Sequence, residues 1–419
     1  TKHGHSNTRD PNIPDSRIPR HPNTPTSEFR GEAVSNRDAV IVEAIRTPVG
    51  VGKPGKGDLD GIHPVDLSAM VLRGLMERTG IDPAVVDDVV WGCVSQVGEQ
   101  SFNVGRNAAL GAGFPESVVG TTVDRQCGSS QQAAHFAAAG VISGQYDVAI
   151  AGGVESMSRV PMFSNTEGGD GPFGPMMKDR YEGRLVNQGI SAEMIAQRWG
   201  LSRTDLDEIA VASHERAAAA TEAGLFADEI LPIETENGLV SVDQGIRPGT
   251  SVDSLAGLKT PFQEDGVVTA GNASQISDGS AALLIMTSAK AAELGLTPIA
   301  RFHTFALAGV DPVIMLTGPI PATQKALAKA GLSADDIGTF EINEAFASVL
   351  GAWYAEIGAD RDRTNPSGGA IALGHPLGAS GARLMTTMVH NMRRNGTRYG
   401  LQSMCEGGGM ANATVLELL

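Results

Sequence analysis

An internal repeat limits what this chain can fold into more than any other feature of its sequence. Gly80-Ile-Asp-Pro-Ala-Val-Val-Asp-Asp-Val-Val90 reads as a helix end, an acidic turn and a buried strand, and Gly331-Leu-Ser-Ala-Asp-Asp-Ile-Gly-Thr-Phe-Glu341 repeats that order. Each follows a comparable helical pattern. In the first, Val65, Leu67, Met70, Val71, Leu72 and Leu75 recur near a 3.6-residue period. Further on, Tyr146-Asp-Val-Ala-Ile-Ala151 runs into Gly152-Gly153, and Tyr399-Gly-Leu-Gln-Ser-Met404 runs through Cys405 and Glu406 into Gly407-Gly408-Gly409. Gly80 precedes Gly152 by 72 positions, and Gly331 precedes Gly407 by 76. Matching elements in a fixed order at near-equal spacing imply a duplicated α/β unit whose halves pack as pseudo-symmetric partners.

The halves differ in one respect. After its glycines the second closes quickly with the strand Ala413-Thr-Val-Leu-Glu-Leu418, whereas the matching strand of the first, Ala281-Ala-Leu-Leu-Ile-Met286, begins 129 positions after Gly152. The intervening residues form a candidate lid, with a Gly- and Pro-rich stretch (Thr166 to Pro175), one helical segment (Ser191 to Ala220) and a turn at Arg247-Pro-Gly-Thr250. The expected division is an extended or disordered tail over 1–36, the first half over 37–157, the inserted loop domain over 158–278, a return of the first half over 279–297, and the second half over 298–419.

Thirty-two Lys and Arg stand against 48 Asp and Glu, a net charge of -16. No general basic field exists for nucleic acid or anionic membrane, so a phosphate-bearing ligand needs a local cation. No run of about 18 apolar residues occurs and the first residues lack a signal-peptide core, which makes the cytoplasm the expected compartment. Three cysteines (Cys93, Cys127, Cys405) are too few for a disulfide framework and become candidates for chemistry.

Cys127 follows a short extended run and precedes an Ala-rich helix from Gln131 to Ile142. Unpaired N–H groups at a helix start stabilise thiolate and are expected to lower the pKa of this thiol, although the same local sequence suits a small buried core cysteine. In the second half, Asn365-Pro-Ser-Gly-Gly-Ala-Ile-Ala-Leu-Gly374-His375 leads from a Gly-rich loop into a helix, and His375 stands near the repeat position of Cys127. An imidazole there can take a thiol proton. Cys405 ends a strand beside three glycines whose N–H groups can approach an oxyanion. Asn343-Glu-Ala-Phe346 also follows a strand; its amide can hold a water or donate a hydrogen bond, and Glu344 can equally be structural. Cys93 and His135 read as packing residues, and His63, His214, His303 and His390 as satisfied or exposed side chains.

Together the Cys127 loop, Thr269-Ala-Gly-Asn-Ala-Ser274, Asn343-Glu-Ala-Phe346, Gly374-His375-Pro-Leu-Gly and Cys405-Glu-Gly-Gly-Gly409 resemble the thiolases in order and spacing, from about Ala39 to Leu419. The resemblance implies two five-stranded βαβαβαββ halves in a layered αβαβα core, an inserted loop domain, and assembly as a homodimer or homotetramer. It implies an acyltransferase that uses acyl-CoA and coenzyme A as substrates, with no tightly bound cofactor and no metal. By the same resemblance Cys127 is the acylated nucleophile, His375 its base and Cys405 the thiol that shuttles a proton. Asn343, through a water, and His375 would form one oxyanion hole, and the N–H groups of Cys127 and Gly407 the other. Arg247 and Ser274 match positions that contact coenzyme A. Ala411 and Gln131-Gln132 depart from the common pattern, and Val186-Asn-Gln-Gly-Ile-Ser-Ala-Glu193 looks more like degradative thiolases of medium or bulky acyl groups than short-chain biosynthetic ones. A decarboxylating ketoacyl synthase and a non-catalytic thiolase-like lipid carrier are the alternatives.

Overall fold

The computed structural model describes residues 37–419, so the tail expected over 1–36 lies outside the described residues. The chain first runs through β1 (Val40–Arg46), β2 (Gly50–Val51), α1 (Pro64–Thr79), β3 (Asp88–Gly92), α2 (Val104–Gly111), β4 (Val119–Val123), α3 (Ser129–Ser143) and β5 (Val148–Ser156). A long connection follows, carrying α4 (Pro175–Arg180), α5 (Gln188–Trp199), α6 (Arg203–Glu222), the hairpin β6 (Ile233–Thr235) and β7 (Gly238–Val240), and α7 (Val252–Ala256). Then come β8 (Ser277–Met286), α8 (Ser288–Glu293), β9 (Ala300–Gly309), α9 (Pro319–Ala330) and β10 (Thr339–Ile342). The chain closes with α10 (Ala347–Ile357), α11 (Ala370–Leu373), α12 (Leu377–Asn395), β11 (Tyr399–Glu406) and β12 (Met410–Leu418).

The expected duplication is visible in the strand order β4-β3-β5-β8-β1-β9-β12-β11-β10. In each half the first strand lies innermost, and the halves meet through the short antiparallel pairing of Val40 with Arg301 and Ile41 with Ala300. One strand of the repeat has shrunk. Where the first half has β4 beside β3, the second has only a parallel bridge from Phe340 to Thr364. Phe340 N donates to Arg363 O (2.8 Å) and Asn365 N to Phe340 O (2.8 Å). The Asn365 side chain continues the ladder, accepting from Ile342 N and donating to Ile342 O at 2.8 Å each.

Layering follows from which helix faces are apolar. α1 is amphipathic: His63 caps it by accepting from Val65 N, Pro64 begins it, and Gly80 ends it in a left-handed conformation (φ 69°). Its buried Leu67, Val71, Leu72 and Leu75 pack on one face of the first half's sheet, and full burial of each contributes roughly 1.5–3 kcal/mol. α12 is buried almost along its whole length, as befits a helix enclosed on all sides, whereas α3, which carries no charged residue, leaves a stripe of Phe136, Ala139 and Ile142 exposed. Ala133, Ala134, Ala137 and Ala138 of α3 share a cluster with Met385, Met388 and Val389 of α12 between the two halves of the sheet. α9 and α10 cover the outer face of the second half.

The helix expected over Ser191 to Ala220 is broken in two. Gly200 (φ 65°) ends α5, and Ser202 opens α6 with a capping box closed by Asp205. The long connection is pinned to β1 by a buried cluster in which Arg46 meets Glu229 at 2.6 Å and Asp243 at 2.7 Å.

Candidate active site

The starts of α3 and α12 are pressed together, and that contact gathers the chemistry. A Cβ on Gly92 would lie 2.4 Å from Ser130 N and 2.7 Å from Gly378 O, and one on Gly381 would lie 2.2 Å from Gln131 N. Only glycine permits this approach. Ser130 Oγ accepts from Ala382 N (2.8 Å), so the two helix starts are also bonded. The repeat therefore does place the Cys127 loop beside the His375 loop.

Cys127 lies on a tight turn after β4, two positions before α3, and is buried. Gln126, just ahead of it, takes a left-handed conformation (φ 49°) held by Asp124 Oδ1, which accepts from Gln126 N at 2.7 Å. The backbone N–H groups of Cys127 and Gly407 both favour the thiolate, as expected of such a loop. The net direction is nevertheless the reverse of the sequence expectation: burial, with Glu406 and Glu155 nearby, pushes the thiol up to about 12. Cys405 is buried at the end of β11, and burial together with the neighbouring Cys127 raises its thiol as well. The resting site holds two neutral thiols.

His375 follows Gly374, whose φ of 92° and close fit to Ser277 exclude a side chain. Its own N–H reaches Ser277 Oγ (3.1 Å) and Gln275 O (3.1 Å). Ser380 Oγ donates to Pro376 O (2.9 Å), which leaves it to accept from His375 Nδ1 at 2.6 Å. This pairing favours the tautomer with the proton on Nδ1, in which the Nε2 lone pair faces Asn343 Nδ2 at 3.3 Å. Burial, reinforced by Arg383, depresses the imidazole to about 3, so it rests neutral and able to accept a proton. Asn343 is tied in turn to the Cys405 strand, its N–H donating to Ser403 O (3.1 Å).

Cys127, Gly407, Cys405, Asn343 and His375 are thus brought into one neighbourhood. Ser274 lies at its rim: its N–H donates to Ala345 O (3.0 Å), and the next residue supplies the carbonyl that holds His375 N. Arg247 is exposed, its backbone N–H donates to His214 Nδ1 (3.2 Å), and among the described residues its guanidinium has no ion-pair partner. Glu344 is structural, bonded to Ser213 (2.6 Å), Asn365 (3.0 Å) and Ile371 N (3.2 Å). Cys93 and His135 are buried; His135 stacks on Phe305 and meets Thr414 at 2.7 Å. Gln131, one of the departures noted above, bonds Thr414 (2.8 Å) and Gln402 across the interior. Sequence reasoning missed Ser380 and Ser277. Ser380 carries a local signal, five residues after His375 and hence on the same helix start, whereas Ser277 lies 98 positions away. Among the described residues no group of three or more His, Cys, Asp and Glu could hold a metal ion.

Residues 39–289 match the family model for the thiolase N-terminal domain, and residues 296–418 that for the thiolase C-terminal domain. The chain is 51% identical over 401 residues to a steroid 3-ketoacyl-CoA thiolase of Mycobacterium tuberculosis, covering 94% of this chain and 97% of that one. It is 46% identical over 406 residues to the peroxisomal 3-ketoacyl-CoA thiolase 2 of Arabidopsis thaliana, covering 94% and 86%. The crystal structure of the Bacillus anthracis acetyl-CoA acetyltransferase aligns with a TM-score of 0.83 at 39% identity, covering 92% of this chain and all (100%) of that one.

Proposed function

This chain belongs to the thiolase family, and on that premise we propose that Cys127 is its acylated nucleophile, His375 the base and Cys405 the second acid. The enzyme is an acyltransferase of CoA-dependent thiolysis and the reverse condensation, with coenzyme A and acyl-CoA as substrates rather than bound cofactors. The observation that carries the assignment is the placement of the His375 ring, with Nδ1 2.6 Å from Ser380 Oγ and Nε2 3.3 Å from Asn343 Nδ2.

In thiolysis the Cys127 proton passes to His375 Nε2 as sulfur attacks the 3-keto carbon of a 3-oxoacyl-CoA. The pKa order of the resting groups opposes a free ion pair, so transfer accompanies attack, when negative charge moves from sulfur to the keto oxygen. The N–H groups of Cys127 and Gly407, which favour charge on the resting sulfur, would donate to the keto oxygen as the charge moves there. The C2–C3 bond then breaks, its electron pair goes to C2, and Cys405 protonates C2 to release acetyl-CoA. Coenzyme A gives its thiol proton to the Cys405 thiolate and attacks the acyl-Cys127 thioester. Cys127 leaves as thiolate and recovers its proton from His375. Asn343 and protonated His375 would hold the thioester oxygen of the second substrate, and the family resemblance gives Arg247 and Ser274 the contacts to the coenzyme A moiety.

Relatives named for 3-ketoacyl-CoA thiolysis and for a steroid substrate favour the degradative direction with a bulky acyl group. A homodimer is supported by the outer edge of β4, unpaired among the described residues and flanked by Phe102 (92% exposed) and Val119 (53% exposed). A cytoplasmic setting suits the three unpaired cysteines, and no helix among the described residues is long and apolar enough to cross a membrane. Mass spectrometry after incubation with acetyl-CoA tests the assignment: acetyl on Cys127 is expected, and acetyl on Cys405 without Cys127 reverses it.

A further inference from the structure

Glu406 separates Cys405 from the Gly407 N–H, and its carboxyl is fully buried (0% exposed). Neither oxygen has a hydrogen-bond partner among the described residues. The carboxyl occupies the space that a side chain at position 128 would need: a Cβ on Gly128 would meet Glu406 Oε1 at 2.0 Å and Asn412 Nδ2 at 2.8 Å. Asn412 Nδ2 is engaged with Gly128 O (3.1 Å), and Asn412 Oδ1 is itself buried and unpartnered. Glu406 therefore packs directly behind the residue that follows the nucleophile. Glu155, the other carboxyl near Cys127, differs. It accepts from Val94 N (3.0 Å), Ser95 N (3.0 Å), Gln100 (2.8 Å) and Gly378 N (2.9 Å), donors that favour the carboxylate and act against the upward push of burial. A buried carboxyl with no donors has no such compensation for a charge.

We infer that Glu406 is a positioning residue for the nucleophile: its carboxyl has to be protonated for Cys127 to become a thiolate, and so it sets the alkaline limit of acylation. Protonated, the side chain fills space. Ionised, it places a second negative charge against the sulfur and opposes the developing thiolate. The groups facing it are Arg125 and Asp124 in the β4–α3 loop, Cys127 at the end of that loop, and Cys405 on its own strand. Burial pushes the carboxyl up to about 8, with Arg125 acting against that shift and Asp124 with it, so the change of state falls just above neutrality. The inference rests on Cys127 being the nucleophile.

The test is the pH dependence of iodoacetamide alkylation, with the labelled cysteine mapped by mass spectrometry, in the full chain and in Glu406→Gln. At pH 9 Cys127 of the variant should be alkylated at least about tenfold faster than in the parent, the factor that one unit of thiol pKa supplies. Single-turnover acylation by acetyl-CoA should extend correspondingly further into alkali. Superimposable profiles, with the label on Cys127, overturn the role of Glu406. Label on Cys93 or Cys405 alone overturns instead the assignment of Cys127, and this inference with it. Should Glu406→Gln not fold, Glu406→Asp withdraws the charge from Gly128 by one methylene and should shift the profile partway; an unshifted profile there is equally decisive against the role.

Discussion

Replacing the buried Ser380 by alanine leaves Cys127, His375 and Cys405 in place, yet it should slow acylation. Ser380 Oγ lies 2.6 Å from His375 Nδ1 and 2.9 Å from Pro376 O, and while it donates to the carbonyl it accepts the ring proton. Without it the buried Nδ1–H has no partner, which costs about 1–3 kcal/mol. The ring can escape by moving its proton to Nε2, but that consumes the lone pair that receives the thiol proton and sets N–H against the Asn343 amide 3.3 Å away. Either route weakens the base by the same order, which corresponds to roughly 5- to 150-fold in rate. Single-turnover acylation of Cys127 by acetyl-CoA, quenched and followed by mass spectrometry, reads this directly. KM should change little, and Ser380→Thr, which keeps the hydroxyl, should recover most of the rate. Acylation of Ser380→Ala within twofold of the parent would refute the tautomer argument.

Other outcomes follow from the same geometry. Cys405→Ser keeps the size of the acid but makes it far weaker, so acylation of Cys127 should survive while net thiolysis falls by roughly 10²- to 10⁴-fold; near-normal turnover removes Cys405 from the mechanism. Gly92→Ala forces a methyl between the starts of α3 and α12, and both melting temperature and activity should drop, by about 1–3 kcal/mol in stability; an unchanged Tm would show that the helices can separate freely. Asp243→Asn strips the Arg46 cluster of one anion and should destabilise the fold by about 3–5 kcal/mol in a denaturant titration, with a loss under 1 counting against the cluster as an anchor. His135 is depressed to about 3 by burial, so its neutral form favours the folded state above pH 6.5, and that contribution is lost as pH falls toward 3. At pH 5 this amounts to about 2 kcal/mol, and His135→Gln should flatten the acid loss of stability by that much relative to the parent.

What the sequence made legible was whatever repeats or clusters locally. The β1–α1–β3 pattern, the helix starts after Cys127 and His375, and the glycines beyond Cys405 all lie within short windows, and the structure has them in that order. The shrunken third strand of the second half was not legible, because a bridge at Thr364 and a ladder completed by the Asn365 amide leave no run of apolar residues to read. The break at Gly200 was hidden by continuous helical periodicity on either side. The direction of the Cys127 shift came out opposite because helix-start geometry is local, whereas burial is a property of everything packed around the thiol. Glu406 and Gly128 lie far apart in the chain, and nothing in either segment announces that one fills the space left by the other.

The sealed flank at β10 has a consequence for how copies of this molecule can add to one another. A sheet with two open sides is a template for endless lateral growth, each newcomer exposing the side that recruits the next. Here the backbone groups of Phe340 and Ile342 are already engaged by Arg363, Asn365 and the Asn365 amide. At the other end of the strand order β4 has an open side among the described residues, and in the homodimer proposed above two β4 strands joined about a twofold axis would use each other up. In such a pair strand-to-strand accretion would stop, because the 363–365 segment, through its backbone and the Asn365 amide together, stands in for a missing strand beside β10.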